Sequence, residues 1–84
     1  ADTILKLMEY DKKNDTELAK TLWIYLQLER NAVRTAKALI IHRSTLLYRL
    51  ERITQITGVN LDTDSVRLHL LLSYALLGKE NGFY

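Results

Sequence analysis

Apolar residues return at every third or fourth position along most of this chain, and few segments alternate with period two, so the pattern predicts an all-α protein of five helices. The first is expected at about residues 4–10, with Ile4, Leu5, Leu7 and Met8 on one side and Asp2 or Thr3 as its cap. Asp11-Lys12-Lys13-Asn14 reads as a polar connection. The second, about 16–29, starts at Asp15 or Thr16 and repeats Leu18, Leu22, Tyr25 and Leu26 at helical spacing. Trp23 and Leu28 lie off that stripe, free to meet another helix. Asn31 caps a third helix, about 32–39, with Val33, Ala36, Leu39 and Ile40 inward. The fourth, about 43–57, points Leu46, Leu50, Ile53 and Thr57 inward and ends at Gly58, a residue suited to a left-handed exit. Asp62 or Thr63 caps the fifth, about 64–77. It is apolar almost all round, from Val66 through Leu68, Leu70, Leu71 and Leu72 to Leu77. One face closes a small helical core, so a second needs a partner, either another copy or an upstream domain. Gly78 to Tyr84 read as frayed.

Eighty-four residues, 48% of them hydrophobic, make one domain spanning 1–84 with a modest core. With no cysteine and only the distant His42 and His69, neither a disulfide framework nor a metal site is expected. No nucleophile–base–acid set or phosphate loop stands out, so neither catalysis nor a cofactor is expected. No apolar run nears the ~20 residues that span a bilayer, and the N-terminus lacks the order of a signal peptide. The chain does not begin with Met, and we read it as a fragment of a larger cytoplasmic protein.

Charge changes the picture. The chain carries only +2, yet residues 29–52 carry +4, from Arg30, Arg34, Lys37, Arg43, Arg49 and Arg52 against Glu29 and Glu51. The other sixty residues carry −2. That basic patch coincides with two short helices joined by a tight turn, the layout of a helix-turn-helix whose second helix enters the DNA major groove. Ala36 supplies the small residue wanted where the helices cross, and Ile40, Ile41 and Leu46 the apolar plugs of the turn. Ile40 stands where many such motifs have glycine, which implies a slightly different turn. His42 falls at the N-cap of the second helix.

In that arrangement Arg43 can donate to guanine or phosphate, and Ser44 and Thr45 can bond bases or phosphate. Tyr48 offers a hydroxyl to phosphate and a ring to a thymine methyl. Arg49 and Arg52 hold the backbone. Arg30, Arg34 and Lys37, spaced i, i+4, i+7, line one face for the flanking strand, and the helix capped by Asn31 offers N–H groups to phosphate. Singly, Arg30, Arg34 and Lys37 read better as part of a solvated face; the concentration of charge beside the turn tilts the set toward DNA.

The segments Tyr10–Leu26, Asn31–Leu39, Ile41–Ile53 (IHRSTLLYRLERI) and Thr57–Leu77 together resemble the C-terminal helix-turn-helix domain of PucR/CdaR-type bacterial transcriptional regulators. NAVRTAKALIIHRSTLLYRL is also similar to the Fis-type motif. The resemblance implies double-stranded DNA as partner and an upstream sensory domain in the same polypeptide, with control of catabolic genes and a possible homodimer. It places His42, Arg43, Thr45 and Tyr48 at DNA and Asn31 and Arg34 at its backbone, while Leu47 and Tyr48 stand where Fis-type motifs are often basic. The alternative is a helical protein-interaction module acting through the fifth helix. RNA binding is disfavoured by the scarcity of stacking aromatics.

Overall fold

The apolar stripes fold inward on one another as five helices. The computed structural model describes residues 2–81, with side chains as far as Leu77. In order the helices are α1 (Asp2–Asn14), α2 (Leu18–Gln27), α3 (Ala32–Leu39), α4 (Arg43–Thr57) and α5 (Asp64–Asn81), with no strand among the described residues. None of these helices is long and apolar enough to cross a membrane.

α2 packs against each of the other four, which is why its buried stripe is the widest. Leu18, Leu22, Tyr25 and Leu26 meet Ile4 and Leu7 of α1, Ile53 of α4, and Leu70 and Tyr74 of α5 in a single core. Leu61 from the α4–α5 loop joins them, a core residue that its place between polar Asn60 and Asp62 concealed. Trp23, off the stripe, meets α5 as expected: its ring lies 5.0 Å from that of Tyr74, tilted by 46°. The Tyr74 hydroxyl donates to the Ala19 carbonyl at 2.6 Å. Burial, and secondarily the charge of Asp11, hold this phenol far above its ordinary pKa, so it remains a donor.

α3 and α4 have the bounds that the pattern predicts, and the Asn31 side chain accepts the Arg34 N–H at 3.0 Å, as an N-cap does. α1 does not. It is helical from Asp2, which puts the expected cap inside it, and it continues through the Asp11–Asn14 segment expected to be a connection. α2 accordingly starts at Leu18 rather than residue 16. The cause is Asp11. Its carboxylate accepts the Leu18 and Ala19 N–H groups at 2.8 and 2.9 Å and the Thr16 hydroxyl at 2.6 Å. One side chain in the last turn of α1 therefore caps the start of α2, and Glu17, the local N-cap, makes no side-chain cap bond. α5 runs past the expected Leu77 to Asn81, so residues 78–81, expected to be frayed, are helical; the rest of that expectation, 82–84, lies outside the described residues.

Left-handed residues follow α1 to α4, and among the described residues only Gly58 (φ 70°) of these is a glycine. Asp15, Glu29, Arg30 and Ile40 adopt φ between 52° and 61°. The bonds Arg30 N–H to Tyr25 O and Glu29 N–H to Leu26 O make the end of α2 a Schellman motif, and that motif stops the helix at Gln27 rather than residue 29. Two inward expectations in α3 fail. Val33, on the flank of the helix, is half exposed, and Ile40, at the exit, is 90% exposed. Thr35 occupies the interior instead, its hydroxyl satisfied by the Asn31 carbonyl at 2.7 Å.

Candidate nucleic-acid interface

The basic segment folds as α3, a three-residue turn and α4. The turn is again a Schellman motif: Ile41 N–H bonds Ala36 O at 3.0 Å and Ile40 N–H bonds Lys37 O at 3.2 Å. Ile40 takes the left-handed conformation (φ 56°, ψ 51°) that a glycine would take. The β-branched residue does not produce a different turn; it occupies the glycine turn at a strain of ~1–3 kcal/mol. It plugs nothing, being directed to solvent, while Leu46, fully buried in the first turn of α4, and the small Ala36 close the junction.

His42 follows in extended conformation (φ −67°, ψ 150°) as the N-cap of α4, but its side chain makes no cap bond. α4 then turns Leu46 and Ile53 to the core and leaves Arg43, Ser44, Thr45, Leu47, Tyr48, Glu51 and Gln55 exposed. Tyr48 is 67% exposed.

The six basic residues divide into two groups. Arg30 leaves the row with Arg34 and Lys37, because it stands in a left-handed turn rather than in α3. Its guanidinium reaches the Leu61 carbonyl (3.2 Å) and the Asp64 carboxylate (2.6 Å), fastening the α2–α3 turn to the start of α5. Arg49 donates to the Thr21 hydroxyl at 3.0 Å, tying α4 to α2. Arg52 donates to the Tyr10 hydroxyl (3.2 Å) and to Gln55 Oε1 (3.0 Å), its guanidinium 5.4 Å from the centre of the Tyr10 ring. The Tyr10 hydrogen bond raises the Arg52 pKa. Arg34, Lys37 and Arg43 are exposed and make no side-chain hydrogen bond or ion pair among the described residues. Three cations on α3 and at the head of α4 thus remain uncommitted around the turn. Asn31 is exposed beside them, its side-chain oxygen engaged in the cap. The pattern of charge locates the patch; the groups that draw Arg30, Arg49 and Arg52 to other helices and loops (Leu61 and Asp64, Thr21, and Tyr10) lie 28 to 42 residues away in sequence, beyond the reach of local reading.

On α5, Leu70, Ser73 and Tyr74 are buried, whereas Leu68, Leu72 and Leu76 stand 61, 61 and 78% exposed as an i, i+4, i+8 ridge. The second apolar face is real and uncovered within the domain.

Comparison with known proteins places the whole arrangement. Residues 18–76 match the model of the PucR C-terminal helix-turn-helix domain. The chain is 39% identical to the proline-responsive transcriptional activator PutR of Bacillus subtilis over 70 residues, 83% of this chain and 17% of that protein. It is 40% identical to the carbohydrate diacid regulator of Escherichia coli over 63 residues, 75% of this chain and 16% of that one. It is 31% identical to the purine catabolism regulatory protein of Bacillus subtilis over 72 residues, 86% of this chain and 14% of that one. The chain therefore spans about one-sixth of the length of these relatives. No solved structure matches it. The chain belongs to the PucR family, whose C-terminal helix-turn-helix is the DNA-binding domain of bacterial transcriptional regulators.

Proposed function

We propose that this domain binds double-stranded DNA sequence-specifically, with α4 in the major groove, as the output domain of a larger cytoplasmic regulator of catabolic genes. The observation that carries the reading is the trio of uncommitted cations, Arg34, Lys37 and Arg43, around a turn that presents the exposed side of α4. Arg43, Ser44, Thr45 and Tyr48 face the bases; Arg34, Lys37, Asn31 and His42 face phosphates. Arg30, Arg49 and Arg52 act chiefly by holding the helices that carry them, with Arg49 and Arg52 adding positive potential along α4. The names of the relatives, which refer to proline, carbohydrate diacids and purine catabolism, support catabolic genes as targets. Their greater length supports an upstream sensory domain in the same polypeptide.

Arg43→Ala is expected to relax preference at one base pair and to weaken the best site by ~1–3 kcal/mol, roughly 5- to 150-fold. Arg34→Ala is expected to weaken all sequences alike and to flatten the dependence of log affinity on log salt by ~1. Titration of both variants on specific and random duplexes reads the two effects; an Arg43→Ala protein with unchanged affinity and preference removes Arg43 from the base-reading set.

The α5 ridge supports a second statement, that two copies pair through Leu68, Leu72 and Leu76. A row at i, i+4, i+8 interdigitates with its own symmetry mate at a crossing angle of about −50°, and the ridge carries no formal charge that would repel a copy of itself. Sedimentation should show dimers that Leu72→Glu converts to monomers. A monomer at all concentrations contradicts the pairing and leaves the ridge to another domain.

A further inference from the structure

We propose that Leu47 is a specificity-determining residue: it reads thymine through the C5 methyl group, beside Tyr48, so that the centre of α4 selects by apolar contact rather than by charge. This rests on the DNA-binding reading above and goes beyond it in assigning a base and an atom to a side chain with no hydrogen-bonding capacity.

Leu47 lies one residue after the fully buried Leu46, on the flank of α4 that leads round to Ser44 and Glu51, and is 47% exposed. Tyr48, the next residue, is 67% exposed. An isolated exposed leucine is ordinary in a soluble domain. This one sits in the second turn of the helix, within the stretch that meets base edges once the helix is in the groove. The neighbouring cations do not reach for the bases there. Arg49 is drawn back to Thr21 and Arg52 to Tyr10 and Gln55. Arg43, a full turn earlier, is the remaining basic side chain on α4, and Glu51, a turn later, repels phosphate and can accept only from an amino group such as that of cytosine. The middle of the presented face is therefore a leucine and a tyrosine ring.

Of the four bases, only thymine offers an apolar group in the major groove. A leucine laid against the N7 and O6 of guanine or the amino group of cytosine strips water from them and returns no hydrogen bond. Laid against a thymine methyl, it buries apolar surface on both partners. The same side chain thus favours thymine and disfavours G·C at one position. No charge is involved, so the preference survives at salt concentrations that weaken phosphate binding.

The test uses the site selected by this domain from random duplexes, with each thymine in turn replaced by deoxyuridine, which removes the methyl alone. We expect the replacement to weaken binding about fourfold at one or two positions, the equivalent of one buried methyl group. Leu47→Ala should abolish the thymine–deoxyuridine difference at one of them while keeping the response to salt. Being exposed, Leu47 can be truncated to a good helix former without opening the core. Equal binding of thymine and deoxyuridine at every position overturns the inference, as does a selected site without thymine, or a Leu47→Ala protein that keeps the full difference everywhere. Any of these leaves the DNA-binding reading standing. Failure to enrich any sequence removes that reading, and this inference with it.

Discussion

Replacing Leu46 with alanine is expected to lower the unfolding free energy by about 3 kcal/mol, within the range for leucine-to-alanine changes in packed interiors. Leu46 is fully buried, in the first turn of α4, immediately behind the turn that joins it to α3. The small Ala36 opposite cannot expand to fill the space. A domain of this length has roughly 4–12 kcal/mol of total stability, so the change removes a large share of it. The melting temperature should fall by about 12–24 °C. Urea unfolding followed by circular dichroism measures the first quantity and thermal unfolding the second. A loss under about 1 kcal/mol would mean that the junction collapses onto the missing side chain, and that the relative placement of α3 and α4 does not depend on this plug.

The second large effect belongs to a residue that looks like part of a loop. Asp11→Ala is expected to cost about 2 kcal/mol, at the upper end of what a helix cap contributes. The carboxylate holds two backbone N–H groups of α2 and the Thr16 hydroxyl, and its removal strips the cap from α2 at a start that Glu17 does not cap. Asp11→Asn keeps one acceptor oxygen and should lose about half as much. Equal stability of Asp11→Ala and the parent, measured in the same urea titration, would mean that water replaces the carboxylate and that α2 is held by packing alone.

These two residues show where the fold is legible in sequence and where it is not. Leu46 stands out because it starts a helical repeat with Leu50 and Ile53, and burial follows from period. α3 and α4 could be bounded because each carries a strong local signal, Asn31 before α3 and Gly58 after α4. α1 and α2 could not, because the signal between them is non-local. Asp11 acts on residues seven and eight positions ahead, and the charged run after it reads as a loop although it is the last turn of a helix. The exits at Asp15, Glu29, Arg30 and Ile40 lack the glycine that announces a left-handed residue, so their strain is visible only in the folded backbone.

The candidate site divides in the same way. Its location is written in the local excess of charge, and the α3–turn–α4 layout in helical period. Which cations are available is a tertiary property: Arg30, Arg34 and Lys37 look equivalent at their spacing, yet only the last two remain uncommitted. Leu47 is the counterpart among apolar residues. By type it belongs with its neighbour Leu46; its exposure separates them.

The central claim, that the exposed side of α4 reads DNA, is tested most directly by selecting bound sequences from random duplexes with the unmodified domain at two salt concentrations. Three uncommitted cations, with help from the arginines further along α4, should release about 3–5 counterions. The account predicts an enriched motif and a log–log salt slope of about −3 to −5. Absence of binding at low salt, or binding indifferent to salt, would contradict it and leave the α5 ridge as the working surface of the domain.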